Sequence, residues 1–340
     1  MDILGVKFAP LNTPLRRRLE TLCAFFWISL LAFGGMICTC LLVYVIVFTR
    51  FYLLGFLYLL WIYLDRNTCH QGGRKITYCR NLIFWKYFKD FFPLKIVKTC
   101  DLPPTTNYLF CAFPHGLLPA GIFGHFATEV TDFPNLFPGL KTHVATLNMH
   151  FNTPITRELL SGLGFVSSSK ESIKYILNKE DKGHALVLVV GGAAEALYAR
   201  PGTNKIVLKN RKGFVKLALK TGCPLVPVYS FGENDLYNQV SNPPGSLTYN
   251  IQNWLKNATG IAPCIPIGRG FLQYTFGPIP QRCPVTTVVG KPIAIPKDEN
   301  ASQETIERYH QIFSEELTKL FEEHKHKYVK DPENAQLVID

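Results

Sequence analysis

The sequence predicts an α/β protein, with helices on the faces of a sheet, anchored in a membrane by an N-terminal transmembrane helical hairpin. Two observations carry this prediction. The segment 21–64 is apolar and holds one charged side chain, Arg50. After it, short apolar runs that end at Gly or Pro alternate with stretches of helical periodicity, which is typical of a sheet with helices on its faces. The chain therefore divides into an N-terminal segment 1–20, a membrane hairpin 21–64 and a body 65–340.

The membrane prediction rests on length and on flanking charge. About 20 apolar residues cross a bilayer as a helix, and Leu22–Phe48 is longer than that and uncharged. It also exceeds the roughly 7–15 apolar residues of a signal peptide. The shorter apolar piece Phe51–Leu64 follows, and Arg50 between the two can snorkel to an interface. Basic residues flank both ends, namely Arg16, Arg17, Arg18, Arg66, Arg74, Lys75 and Arg80.

Positive residues favour the cytosolic side, so a hairpin that returns to that side satisfies both flanks. The alternative is one span with a luminal body, which the sequons Asn257-Ala-Thr259 and Asn300-Ala-Ser302 would support. The net charge of +11 fits an anionic membrane surface or an acidic ligand. Nucleic acid is not expected as a partner, because the basic residues are scattered and no nucleic-acid motif is present. The ten cysteines lack metal-type spacing, so we expect reduced thiols and no metal.

Within the body, four apolar runs that stop at turn residues are predicted as strands. These are Tyr108–Phe113, Ala185–Val190, Pro224–Phe231 and Val285–Val289. Predicted helices are Ser169–Leu177, Gly213–Leu219 and Ser302–Lys327, the last with Ser302 as its N-cap. Ligand sites of α/β sheets gather at the carboxyl ends of strands, so the strand-to-turn junctions are where we expect the chemistry.

His115 is the first candidate, because it follows a strand within Phe-Pro-His-Gly, where a rigid Pro and a permissive Gly can project it from a turn. Imidazole titrates near neutral pH, which suits a general base. A lone histidine in a turn is more often structural, so other residues must support the assignment.

Three further features lie at such junctions. Glu195 follows a strand end, where a carboxylate could orient the imidazole, or could simply favour the first turn of a helix. The pair Gly191-Gly192 would let backbone amides approach an oxyanion, or form only a tight turn. The stretch Asn210-Arg-Lys-Gly-Phe214 opens a helix with basic residues, which suits the phosphates of coenzyme A as well as a solvated turn.

At these residues the sequence resembles the type 2 diacylglycerol acyltransferase family, and within it the acyl-CoA:monoacylglycerol acyltransferases. The matching stretches extend over almost the whole chain. They are Lys7-Phe-Ala-Pro-Leu11, Gln71-Gly-Gly-Arg74, Phe137-Pro-Gly139, Val189-Val-Gly-Gly-Ala-Ala-Glu195, Arg211-Lys-Gly-Phe-Val-Lys-Leu-Ala-Leu219, Leu225-Val-Pro-Val-Tyr-Ser-Phe-Gly-Glu-Asn-Asp235, Gly268-Arg-Gly270 and Thr286-Thr-Val-Val-Gly290.

The resemblance implies a glycerolipid-acyltransferase domain in the endoplasmic reticulum membrane, multi-pass, with a cytosolic active site and operation at lipid droplets. The reaction would be direct transfer from acyl-CoA to a neutral lipid acceptor, monoacylglycerol or diacylglycerol. Acyl-CoA would be a substrate, and no cofactor is implied. Membrane lipid is the further partner, and the sequence leaves a homo-oligomer open. The resemblance implies two catalytic residues, His115 and Glu195, and these substrate-binding residues: Phe113, Pro114, Gly116, Gly191, Gly192, Arg211, Lys212 and Gly213.

One position departs from the family pattern. The family signature is His-Pro-His-Gly, and Phe113 stands at its first histidine while Pro114, His115 and Gly116 remain. If the second histidine is the base, activity survives. Two alternatives to monoacylglycerol acylation therefore stay open. One is wax-ester synthesis on long-chain alcohols, and the other is a non-catalytic lipid-binding member of the family.

Overall fold

The computed structural model describes residues 2–3, 5–10, 12–240, 243, 245–259 and 264–340. Residues 1, 4 and 11 of the predicted segment 1–20 lie outside the described residues, and so does the side chain of Asn257. Leu11 also closes the family-like stretch that begins at Lys7.

The strands are β1 Asp2–Ile3, β2 Val6–Lys7, β3 Lys95–Lys98, β4 Tyr108–Phe113, β5 Lys141–Thr146, β6 Phe165–Ser167, β7 His184–Val189, β8 Lys205–Ile206, β9 Leu225–Phe231, β10 Asn238–Gln239, β11 Pro266–Ile267, β12 Thr286–Val289 and β13 Val338–Ile339. The helices are α1 Leu15–Ser29, α2 Gly35–Phe48, α3 Tyr52–Leu64, α4 Thr77–Arg80, α5 Ile83–Phe91, α6 Ala120–Phe126, α7 Phe133–Leu136, α8 Thr156–Gly162, α9 Lys170–Leu177, α10 Ala193–Ala196, α11 Gly213–Thr221, α12 Leu247–Thr259 and α13 Gln303–Tyr328. A π-helical turn, Leu30–Gly34, joins α1 to α2. Short 3₁₀ turns lie at Thr68–His70, Asn148–Asn152 and Glu233–Leu236.

The prediction of an α/β fold is confirmed. In the described part of the chain the main sheet has seven strands in the order β3-β12-β9-β4-β7-β5-β6. Strands β9, β4, β7, β5 and β6 are parallel, whereas β12 runs antiparallel to β9 and parallel to β3. The four predicted strands match β4, β7, β9 and β12 to within a residue or two. The Ser302 side chain caps α13 by accepting a hydrogen bond from the Thr305 N–H, as predicted.

Two apolar layers cover the two faces of the sheet, because successive side chains of a strand point to opposite faces. In β4, Phe110 and Ala112 join a layer that includes α1, α5 and α6. Leu109, Cys111 and Phe113 join the other layer, which includes α9, α11 and α13. We call these the α1 face and the α13 face of the sheet. Strand β4 is fully buried between them, as a central strand of a parallel sheet should be.

The predicted membrane segment has two environments. Helix α1 packs on the body through its second half, where Trp27 is buried against Phe88 with ring centroids 4.9 Å apart. Helix α2 buries none of its residues. Helix α3 packs against α2, with Gly55 leaving space for the side chain of Ile46. Among the described residues, the helical stretch Leu15–Phe48 is the one long and apolar enough to cross a membrane. The boundary at residue 21 stays a prediction.

An ionic network joins the end of α3 to the body. Asp65 follows α3 and accepts a hydrogen bond from the buried Arg157 guanidinium, with Nη2 and Oδ2 2.8 Å apart, and it also pairs with Arg74. Glu158 pairs with Arg157 at 2.8 Å and accepts from the indole N–H of Trp61 at 3.2 Å. These contacts hold α3 against the helix that carries Arg157.

Candidate functional site

Three adjacent strands bring the site together. Strand β4 lies between β7 and β9 and is parallel to both, with Ala112 beside Val189 and Phe113 beside Tyr229. The three strands therefore end at the same edge of the sheet. His115 follows β4, Glu195 follows β7 and Glu233 follows β9. The sequence prediction that chemistry gathers at strand ends thus corresponds to one place in the fold.

His115 sits half-buried in the turn after β4. Its Nδ1 lies 3.1 Å from the carbonyl oxygen of Gly116. Because a carbonyl oxygen can only accept, this contact assigns the proton to Nδ1 and leaves the lone pair on Nε2. Burial lowers the pKa of His115 below its ordinary value, opposed by the hydrogen bond to Gly116. The ring is therefore held neutral at physiological pH, in the tautomer that can take a proton at Nε2.

Glu195 holds the backbone of this turn. One carboxylate oxygen accepts from the His115 N–H at 2.7 Å, and the other accepts from the Val207 N–H at 2.8 Å. This carboxylate was predicted to orient the imidazole, but both of its oxygens accept from main-chain N–H groups instead. Burial raises the pKa of Glu195 to about 7, against the two hydrogen bonds and the charge of Arg211, which lower it. Glu195 thus fixes the position of His115 through the main chain.

Glu233 is a site residue that the sequence analysis did not select. Its carboxylate accepts from the N–H groups of Ala120 and Gly121, at 2.7 and 2.8 Å, at the start of α6. It also packs against Gly116, where an added Cβ would lie 2.9 Å from Cγ of Glu233. Burial raises the pKa of Glu233 to about 8. The available signal was its place directly after a strand and Gly232, the same pattern that identified Glu195.

Two buried carboxylates therefore contact the turn of His115. Glu195 accepts from the His115 N–H, and Glu233 packs against Gly116. Gly116 is in the left-handed region, with φ of 59°, which a residue with a side chain rarely adopts. Pro114 is buried and joins Phe113 through a cis peptide bond. Phe113 is fully buried on the α13 face, with its ring 6.3 Å from that of Phe313.

The glycine pair serves the packing of Glu195. A Cβ at Gly191 would collide with the Glu195 carboxylate, so this position has room only for glycine. Gly192 has φ of 58° and precedes α10, which carries Glu195. Both glycines thus shape the turn that delivers Glu195 to His115.

The predicted phosphate-binding stretch divides into two environments. The guanidinium of Arg211 lies 3.4 Å from the carbonyl oxygen of Gly191, at the edge of the site. Lys212 instead forms an ion pair with Glu307 of α13 at 3.0 Å. Gly213 begins α11 and is exposed, with open space around it. The structure therefore brings Arg211 to the site, and it directs Lys212 toward α13.

A profile of the diacylglycerol acyltransferase family matches residues 44–340. The chain belongs to the diacylglycerol acyltransferase family. The match includes all of the residues that form the site edge. Members of this family named as acyltransferases are similar to the chain over its whole length, and the chain is an acyltransferase.

Relatives in the diacylglycerol acyltransferase family differ in the acceptor that their names state. The chain is 46% identical to 2-acylglycerol O-acyltransferase 1 of Bos taurus, covering 99% of this chain and 100% of that protein. It is 44% identical to diacylglycerol O-acyltransferase 2 of Dictyostelium discoideum, covering 98% and 100%. It is 40% identical to acyl-CoA wax alcohol acyltransferase 2 of Homo sapiens, covering 94% and 96%. Sequence similarity identifies the family but does not distinguish between a 2-acylglycerol, a diacylglycerol and a wax alcohol as the acceptor.

Proposed function

We propose that this acyltransferase moves an acyl group from acyl-CoA to a hydroxyl of monoacylglycerol, forming diacylglycerol, with diacylglycerol as a second acceptor. The observation that carries the proposal is the neutral His115 at the carboxyl edge of the sheet, held by Glu195 and flanked by Glu233. Such a histidine suits an alcohol nucleophile, because an unassisted hydroxyl attacks a thioester slowly.

In this mechanism Nε2 of His115 takes the proton of the acceptor hydroxyl as its oxygen attacks the thioester carbonyl carbon. The tetrahedral intermediate then collapses, its carbon–sulfur bond breaks, and the proton on Nε2 passes to the leaving thiolate of coenzyme A. An ester and a free thiol result, and the imidazole returns to its neutral form. We assign the N–H groups of Gly191 and Gly192 to the oxyanion, since backbone amides at such a turn stabilise developing negative charge.

The replacement of the first signature histidine by Phe113 is compatible with catalysis in this scheme. Phe113 is buried on the α13 face, beside Phe313, whereas the proposed base stands in the turn beyond it. Its side chain therefore fills the core instead of contacting the acceptor. This placement favours an active enzyme over a non-catalytic lipid-binding member of the family.

We assign the phosphates of acyl-CoA to Arg211, with Lys212 and Gly213 as the start of α11. Support comes from the position of Arg211 beside Gly191, where its charge also acts on Glu195. The ion pair joins the half-buried Lys212 to the exposed Glu307 and can exchange for a phosphate at little cost.

We place the protein in the endoplasmic reticulum membrane and at lipid droplets, with the hairpin 21–64 in the bilayer and the active site in the cytosol. The packing of α3 against α2 and the basic residues on both flanks support this arrangement. Protease added to intact microsomes should then digest the C-terminal tail. A protected tail, or a glycan on Asn257 or Asn300, would contradict a cytosolic body.

An acceptor panel tests the function. The purified full-length protein is reconstituted in lipid nanodiscs with labelled acyl-CoA and, in parallel, monoacylglycerol, diacylglycerol or hexadecanol. We expect the highest kcat/KM with monoacylglycerol. A preference for hexadecanol would indicate a wax-ester synthase, and no product with any acceptor, in protein shown to be folded, would support the non-catalytic alternative.

A further inference from the structure

A loop between β11 and β12 exposes a group of large apolar side chains. The side chains of Phe271, Leu272 and Phe276 are 43%, 69% and 56% exposed. The loop is braced from within, because the side-chain oxygen of Gln273 accepts from the N–H groups of Thr275 at 2.7 Å and Phe276 at 3.1 Å. The apolar groups are therefore held outward by a folded turn. We call residues 270–277 the aromatic loop.

The aromatic loop is fixed to the N-terminal strand and to α1. Ala9 donates to the Leu272 carbonyl and Tyr274 donates to the Lys7 carbonyl, both at 2.8 Å. The ring of Phe271 packs edge-on against Phe25 of α1, with centroids 4.8 Å apart. The loop thus lies beside the helix that continues into α2.

Helix α1 presents an apolar stripe at this place. Leu22 and Phe26 are exposed and lie four residues apart, which puts them on one side of α1. Phe26 also contacts Phe84 of α5, with ring centroids 5.4 Å apart, next to the exposed Ile83. Because consecutive residues are about 100° apart around a helix, Phe25 lies to one side of Leu22 and Phe26 lies to the other. The aromatic loop and α5 therefore border the stripe on its two sides.

We infer that this surface is a second membrane contact, seated in the same bilayer leaflet that α2 and α3 enter. We call it the apolar platform, and it comprises Leu22, Phe26, Ile83, Phe271, Leu272 and Phe276. The inference rests on the proposed membrane anchoring and extends it to the body. Exposed apolar patches of this kind mark interaction sites, and aromatic side chains are favoured at membrane interfaces.

Two observations favour lipid over a protein partner. The stripe is continuous with α2, none of whose residues is buried in the fold. The exposed Lys7 lies beside the platform, where basic side chains attract anionic headgroups. Lys7 is held there by its hydrogen bonds to Tyr274 and to the Thr275 hydroxyl.

The platform is also joined to the site. The chain that returns from the aromatic loop donates from Gln281 N–H to the Leu236 carbonyl at 2.7 Å, three residues after Glu233. The segment that leaves the aromatic loop therefore contacts the short 3₁₀ turn that carries Glu233.

The test places an environment-sensitive fluorescent amino acid at position 272 of the full-length protein in nanodiscs. A probe at Val43 of α2 reports the anchor. A probe at Val338 of β13 is the matched control, since it is 50% exposed and β13 adjoins the α13 face, which is opposite to α1. Acyl-chain-brominated phosphatidylcholine and aqueous iodide are the two quenchers.

We expect brominated lipid to quench the probe at 272 several-fold more than the probe at 338, and iodide to show the reverse order. Quenching by iodide alone at 272 would overturn the proposal, because the platform would then face water. Protection from both quenchers would overturn it too, since a second copy or another protein would cover the loop. If the probe at 43 were not quenched by lipid, the anchoring itself would be wrong.

Rate measurements with two acceptors distinguish a loss of membrane contact from a loss of catalysis. Leu272→Asp should lower the rate several-fold with long-chain monoacylglycerol in the bilayer and leave the rate unchanged with a short-chain monoacylglycerol in solution. Val338→Asp should change neither rate. Equal losses with both acceptors would show a folding or catalytic defect and would contradict the platform.

Discussion

Replacing Glu195 by Gln should slow acyl transfer by loosening the turn of His115. The carboxylate accepts two N–H bonds, from His115 and Val207. Glutamine offers one acceptor oxygen and sets its NH₂ group against the second donor. A hydrogen bond to a charged acceptor contributes about 1.5–3 kcal/mol, so we expect a loss of stability of that order. Misplacing a catalytic group by about 1 Å can cost on the order of 10²-fold in rate, and the drop in kcat should approach that value.

The pH dependence provides a second signature of the same residue. Burial raises the pKa of Glu195 to about 7, so the carboxylate that accepts both bonds prevails above pH 7 and gains a proton as the pH falls through 7. Wild-type kcat/KM should therefore decrease as the pH falls through 7. In the Glu195→Gln variant that step should vanish and leave only the decline due to His115, whose pKa is lowered by burial.

The assay is the initial rate of diacylglycerol formation in nanodiscs between pH 5.5 and pH 8.5, with thermal denaturation measured on the same preparations. Glu315→Gln is the control, because Glu315 is exposed on α13 and accepts a hydrogen bond from Gln311 at 2.9 Å. Wild-type rates, melting temperature and pH profile in Glu195→Gln would refute the idea that this carboxylate holds the turn.

Two further substitutions probe the packing around the site. Gly191→Ala should lower stability by about 1–3 kcal/mol, as overpacking does, and should reduce kcat, because its methyl group would collide with Glu195. Gly213→Ala, where a methyl group meets only open space, should leave stability unchanged. Phe113→His should lower the melting temperature without raising kcat, because a buried imidazole beside Phe313 costs roughly 1–3 kcal/mol unless it is hydrogen-bonded. A higher kcat in Phe113→His would show that this position takes part in catalysis.

The sequence predicted the sheet well because its central strands are buried on both faces and therefore read as continuous apolar runs. Strand β4 is the clearest case, since Tyr108–Phe113 was predicted with the bounds that the structure has. Strand β6 is only three residues long and was not predicted. Helix α1 shows a second limit, because its apolar residues suit a membrane span and a protein core equally, and only tertiary packing buries Trp27.

The site was predicted in part. His115 and Glu195 follow strands, so the parallel arrangement of β4 and β7 was enough to bring them together. The partner of the Glu195 carboxylate could not be read from the sequence, because the choice between the ring and the main chain of His115 depends on the turn geometry. Glu233 follows β9 and Gly232 in the same pattern as Glu195, so the rule that located Glu195 would also have selected it.

The most direct test of the account is the rate of diacylglycerol formation by His115→Ala in nanodiscs at pH 7.5. General-base assistance contributes roughly 10²- to 10⁴-fold, and the account predicts a loss of kcat in that range with normal abundance and membrane insertion. His324→Ala is the matched control, because His324 is also half-buried and its Nδ1 lies 3.0 Å from the backbone carbonyl of Leu320, close to the 3.1 Å between His115 and Gly116. That variant should keep wild-type activity. Wild-type turnover in His115→Ala would contradict the assignment of the base and with it the mechanism.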